Sequence, residues 1–396
     1  MRDYLPAIAV LVLFGALAQA DEKKTTDLTI PQLIKNLSDK DPDVRADAAD
    51  ELGKKGAVAK KAVPDLIAAL KDPEETVRDA AVDALGQIGA AAKDAIPELA
   101  KALGDDKATV RELAAIALGQ IGGEILKGVN PEDRHSTATE AGLIGQRSAA
   151  VGLLARLKDS DDAVREAAAH TLLKFSPLNK TAVNSLANAL KDSHRGVREL
   201  IAECLCEMGP DAKAAIPALI DALAIEKDRH VRASIVEALG LIGEGTKEVV
   251  AALVKAKTDE APVVRCAVAQ SLGQLAAQPE IALPALIELM DNKDQEKGHP
   301  HIRHNAIEAI GSFGPQASVA TANKAVPALV RTLNTAPPGH RFSAAVALGQ
   351  FGPLAKVAIP DLEKASKEKG EPKSEDKKGK TDIAEAAKAA LKRIQK

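Results

Sequence analysis

One arginine recurs along this chain at Arg45, Arg78, Arg111, Arg165, Arg198, Arg232, Arg265, Arg303 and Arg341, in most copies behind a valine. The successive intervals are 33, 33, 54, 33, 34, 33, 38 and 38 residues, so most of the chain is one unit of about 33 residues written repeatedly. A fixed period of this size predicts a solenoid, because so short a unit cannot bury its own apolar surface and must stack on copies of itself. The expectation is therefore of extended faces that bind, more than of a pocket that catalyses.

The unit is clearest in Val63-Pro64-Asp65-Leu66-Ile67-Ala68-Ala69-Leu70, which is followed after Asp72-Pro73 by Val77-Arg78 and a stripe of Ala81, Ala84, Leu85 and Ile88. Pro64 suits the first turn of a helix, where no N–H is needed, and Leu66, Ile67 and Leu70 follow at helical spacing. This first segment is helix A. The second stripe is helix B, with Gly89 at its C-terminal stop. Nothing longer than a few residues alternates as a strand would. The fold class expected is all-α, a right-handed α-solenoid of about ten helical hairpins.

Superposed on their arginines, the copies form columns. Seven residues on stand Leu52, Leu85, Leu118, Leu172, Leu205, Leu239, Leu272, Ile310 and Leu348, which define the core stripe. Three residues on, Ala48, Ala81, Ala114 and Ala168 are small enough for adjacent helices to approach closely. In the first unit, Glu51 and Lys55 replace Ala84 and Ile88, as in a cap whose side chains face water. Ile383 to Ile394 fits helix B of a closing tenth unit, with Ile359-Pro360-Asp361-Leu362 as its helix A and a polar loop at about 364–382 between them. The 54-residue interval places an insertion at about 123–147, which either touches a ligand or covers a seam.

The pattern Pro-x-Leu-Ile, Asp-x-Asp-x-x-Val-Arg, Ala-Ala-x-Ala-Leu-Gly-x-Ile-Gly resembles HEAT-like repeats of the type found in bacterial bilin-lyase relatives, over roughly 29–396. The resemblance implies the solenoid fold and leaves function open, since such repeats serve as scaffolds, adaptors and lyase subunits. It also implies a ladder between the helix B arginines, all nine named above, and acids at the A–B turns. Those acids would be Asp39, Asp72, Asp105, Asp159, Asp192 and Asp259, with Glu226 one place out of register. HEAT-like hydroxylases use His-Glu pairs, and this chain has no His-Glu dipeptide.

Met1 to Ala20 combines Arg2, an apolar run from Leu5 to Leu17, and Ala18-Gln19-Ala20, the layout of a cleavable export signal too short for an ordinary membrane span. We therefore expect residues 21–396 to form a single solenoid, periplasmic or secreted, without stable membrane insertion. An exported chain is also out of place as a cytoplasmic lyase subunit. The net charge of −3 points away from nucleic acid, and with no Trp there is little material for stacking platforms. Three of the phenylalanines, Phe175, Phe313 and Phe351, share the column ten after the arginine and read as core. Cys204, Cys206 and Cys266 give no disulfide framework and read as small buried side chains.

Two surfaces remain as candidates. Positions one and five after the arginine share a face of helix B, expected to line the concave side, and carry Asp79, Asp83, Glu112, Glu166, Glu199, Glu203 and Glu237, with Gln87, Gln120, Gln274 and Gln350 alongside. This acidic stripe would steer a basic protein or peptide. The alternative is a metal-binding or bilin-lyase-like catalytic role on His299, His301 and His304, three imidazoles in six residues. No nucleophile elbow, P-loop or H-E-x-x-H is present. The function expected is a non-enzymatic, exported interaction scaffold that needs no cofactor.

Overall fold

The computed structural model describes residues 28–127, 149–176, 178, 180–291, 300–368 and 382–396, and every described element is helical. By its internal contacts the chain divides into two compact units, Met1–Leu178 and Asn179–Lys396. The first unit stacks four helical hairpins, with helices B at Pro42–Lys54, Glu75–Ile88, Ala108–Lys127 and Asp162–Lys174. The second stacks six, with helices B at Arg195–Met208, Arg229–Ile242, Pro262–Leu275, Pro300–Ser312, Pro338–Gln350 and Ile383–Ile394. The export signal lies outside the described residues, as do most of the insertion and most of the polar loop. Helix B of the third repeat runs on to Lys127, so the first residues of the sequence-defined insertion extend that helix.

Local chemistry sets the hairpin. Pro64, Pro97, Pro217 and Pro360 each stand second in a helix A, where the missing N–H costs no intrahelical bond. Some helices B start on side-chain caps: Asp161 accepts from the Ala163 amide at 2.9 Å and Asp228 from the His230 amide at 2.8 Å. Gly56, Gly89, Gly209 and Gly352 lead from helix B into a 3₁₀ link at φ of 57, 69, 52 and 51°, which a side chain would strain. In the eighth and ninth repeats helix A instead begins upstream of its proline, at Pro279–Asp291 around Pro284 and Val319–Thr335 around Pro327. In the ninth, that upstream growth lengthens the interval from Arg303 to Arg341.

The leucine column is the core, from Leu52 to Leu348 at no more than 1 % exposure. Close approach of neighbouring helices also runs along a second column. A glycine eight after the arginine meets the residue six after the arginine of the next repeat. A Cβ on Gly53 would lie 2.9 Å from Ala84 Cα, and one on Gly273 would lie 2.8 Å from Ala309 Cα. Where that facing residue is polar it reaches across: Thr171 Oγ1 donates to Ala115 O at 2.8 Å and Ser271 Oγ to Val236 O at 3.0 Å. Phe313 and Phe351 are buried, and half-buried Phe175 lays its ring against Gly122.

The first repeat departs from the expectation of a wet cap. Glu51 is only 7 % exposed, and its carboxylate accepts from Lys54 Nζ at 2.8 Å. It lies on the same stripe as Ala48 and Leu52, so the charge is kept there by a lysine within one helical turn rather than by water. Lys55 is half-buried.

Candidate functional site

The helix B faces stand on the arginine ladder at the A–B turns. In the first unit Arg45 donates from Nε and Nη2 to both oxygens of Asp72, each at 2.8 Å, and Arg78 does the same to Asp105 at 2.9 and 3.0 Å. Arg111 pairs with Asp159 at 2.9 and 2.7 Å. Each arginine's remaining nitrogen, Nη1, donates to the carbonyls of its own turn, as Arg78 does to Asp72 O at 3.0 Å and Pro73 O at 3.1 Å. The aspartate also fastens its own turn, Asp72 accepting from the Glu74 amide at 3.0 Å. One rung therefore closes a turn, orients the next helix B and ties adjacent repeats, through fork-on-fork pairing that arginine alone offers.

Burial by itself would raise the Asp72 carboxyl. The Arg45 hydrogen bond and the Glu74 amide outweigh it and hold that carboxyl below the usual aspartate range. A polar recess of about 550 Å³ opens beside the Arg78–Asp105 rung, lined among others by Lys71, Glu74, Glu75 and Lys107.

In the second unit Arg198 pairs with Glu226 through Nε and Nη2 at 2.6 and 2.9 Å, and Arg232 with Asp259 at 2.8 and 2.9 Å. Glu226 thus makes a rung although it follows Arg198 by 28 residues, one more than the 27 between Arg45 and Asp72, as the sequence offset implied. It stands six residues before its own arginine, as Asp72, Asp105, Asp159 and Asp259 do, and Arg232 Nη1 donates to its carbonyl at 3.4 Å. The extra residue of that interval lies upstream of Glu226, where helix A, Ile216–Ile225, is 10 residues long against 7 in the second repeat. Asp192 fastens its turn by accepting from the His194 amide at 2.8 Å.

Arg265 donates from Nη1 to Glu260 O at 3.0 Å, while its Nε has no partner among the described residues. Arg303 donates from Nε to Met290 O at 2.9 Å. Arg341 donates to Leu333 O at 2.7 Å and to Glu368 Oε1 at 2.5 Å. Glu368 is a rung acid that column reading missed, although it follows Arg341 by the same 27 residues that separate Asp72 from Arg45.

Above the ladder, the acidic residues differ in what holds them. In the first unit Asp79, Asp83, Glu112 and Glu166 are all half-buried. Asp83 accepts from Gln87 Nε2 at 2.6 Å, and burial, reinforced by nearby Asp83, pushes the Asp50 carboxyl up against the pull of Lys54. Burial also raises the Asp79 carboxyl, one of whose oxygens, Oδ1, is enclosed without a hydrogen-bond partner among the described residues. His170 is exposed, and partial desolvation with Lys174 nearby lowers its imidazole's affinity for a proton.

In the second unit Glu203 is raised first by desolvation and then by the like charges of Glu199, Glu237 and Glu207. Those four carboxyls form one electrostatic cluster spanning two helices. Glu237 is exposed as a residue, yet partial burial of its carboxyl raises it too. Glu199 is partly spoken for by Arg195, which reaches it at 2.9 Å and Asp228 at 3.2 Å. An Arg-x-x-x-Glu pair one helical turn apart signals that contact in the sequence.

The amide column has a packing role. Gln120 and Gln350 lay their side-chain carbonyls over Gly86 and Gly311 of the preceding repeats, where a Cβ would come within 2.2 and 2.1 Å. Gln87 covers Gly53 in the same way.

Of the histidine cluster, His299 lies outside the described residues. His301 is exposed. His304 has both ring nitrogens engaged, Nε2 with Glu308 at 3.2 Å and Nδ1 with Ser343 Oγ at 3.2 Å. Among the described residues no group of three His, Cys, Asp or Glu side chains is placed to hold a metal ion. Cys204, Cys206 and Cys266 form no disulfide, and burial pushes the Cys206 thiol up to about 11, far from a reactive thiolate. Among the described residues no helix is long and apolar enough to cross a membrane.

A family model described as HEAT repeats matches residues 30–119, 123–205, 150–240, 183–255, 216–298 and 295–373. The chain belongs to the HEAT-repeat family. The match is to HEAT repeats as a class, without a bilin-lyase subtype. Among curated proteins none matches this chain.

Solved structures similar to this HEAT-repeat chain include an engineered protein at 21 % identity and TM-score 0.60, covering 93 % of this chain and 99 % of that one. Another comes from work on Kap95p binding to RanGDP, at 14 % identity and TM-score 0.51, covering 91 % of this chain and 50 % of that one. A third, from work on the interaction between cadherin and beta-catenin, has 15 % identity and TM-score 0.53, covering 93 % and 81 %. At these identities the likeness is one of fold.

Proposed function

We propose that this HEAT-repeat protein is an exported, non-catalytic interaction scaffold that holds a basic protein or peptide against the acidic face of helices B. The observation that carries the reading is the cluster around Glu203, whose carboxyl is raised first by desolvation and then by the like charges of Glu199, Glu237 and Glu207, while among the described residues of this group Glu199 alone has a cationic partner within 4 Å, Arg195. Carboxylates kept close at a cost to the free protein are relieved when a cationic partner arrives. The structural neighbours described through Kap95p and beta-catenin come from studies of protein partners, which agrees with a binding role for this architecture. Export rests on the layout of Met1 to Ala20 and would leave a mature chain beginning at Asp21.

The test uses a lysine-rich peptide as probe and the chain from Asp21 onward. Affinity should fall at least tenfold in the triple variant Glu199→Gln, Glu203→Gln, Glu237→Gln and fall with added salt, while helicity is unchanged. Equal binding by the variant would refute the acidic face as the contact surface. N-terminal sequencing of the protein recovered from its host's exported fraction tests the localisation, and an intact Met1 would refute cleavage.

A further inference from the structure

We draw no further inference here: the strongest candidate, the carboxylate cluster of Glu199, Glu203, Glu207 and Glu237 on the helix B face of the second unit, belongs to the surface already described, and no second feature there points to a particular ligand.

Discussion

Changing Asp159 to Asn should remove a well-buried rung of the ladder while keeping its shape. Asp159 is 3 % exposed at the side chain and Arg111 12 %, and the carboxylate takes Arg111 Nε and Nη2 at 2.9 and 2.7 Å and Arg156 Nη1 at 3.2 Å. Deleting one partner of a buried pair costs about 3–5 kcal/mol. Arg111 keeps the carbonyls of Asp105 and Asp106 at 3.0 and 3.1 Å, and an asparagine oxygen can still accept from the Asp161 amide. With those contacts kept, we expect a loss of about 2–3 kcal/mol at pH 7, since each hydrogen bond to a charged group is worth roughly 1.5–3 kcal/mol.

The pH dependence follows from the direction of the shift. Burial would raise the Asp159 carboxyl, but the Arg111 hydrogen bond, the Asp161 amide and both guanidinium charges hold it below its ordinary 3.8. Such a group stabilises the fold above its unfolded value and loses that contribution as pH falls through the lowered folded one. The gap between parent and variant should therefore be full at pH 7 and close below about pH 3.8. Urea unfolding followed by circular dichroism measures the gap. Hydrogen exchange should place the loss in the third and fourth repeats, because stacked repeats are coupled mainly to their neighbours. A variant within about 0.5 kcal/mol of the parent at pH 7, or a gap that persists in acid, would refute the reasoning.

The acidic face should respond to pH in the opposite sense. Glu203 is raised in the fold, so its ionised form destabilises; Glu203→Gln should raise the melting temperature at pH 7 and make no difference below the ordinary value of 4.5, and a variant less stable at pH 7 would contradict this. Gly273→Ala drives a methyl to 2.8 Å from the Ala309 backbone and should cost about 1–3 kcal/mol by overpacking, read from urea midpoints. Gly123→Ala meets nothing within 4 Å in a helix interior and should instead stabilise by about 0.5–1 kcal/mol in the same assay. Ala276 sits at φ 40°, so Ala276→Gly should stabilise despite glycine's greater freedom when unfolded, and a lower melting temperature would show that the left-handed turn carries little strain.

The amino-acid sequence by itself determined the period, the hairpin, the apolar column and the arginines that hold the turns. These follow from local rules repeated in register: a proline fixes where helix A starts, a glycine where helix B stops, and a leucine every unit has only one way to be buried. The polar columns were less legible. Counted from the preceding arginine Glu226 looks misplaced, and the folded turn, in which Arg232 donates to its carbonyl, explains why the count from its own arginine is the one that holds. Gln87 and Gln120 read as part of a binding face until their contacts with Gly53 and Gly86 show them packing repeat on repeat. Glu51 read as a wet cap, yet it is buried beside Lys54. Tertiary structure decided these because an acid or amide at a given helical position has several chemically equal partners, and which one it meets depends on the neighbouring repeat. It also separated the acids bound into rungs from the carboxylates gathered around Glu203 on the open face. One-dimensional periodicity cannot make that distinction, since charge repulsion depends on distance between helices and not on spacing along one of them.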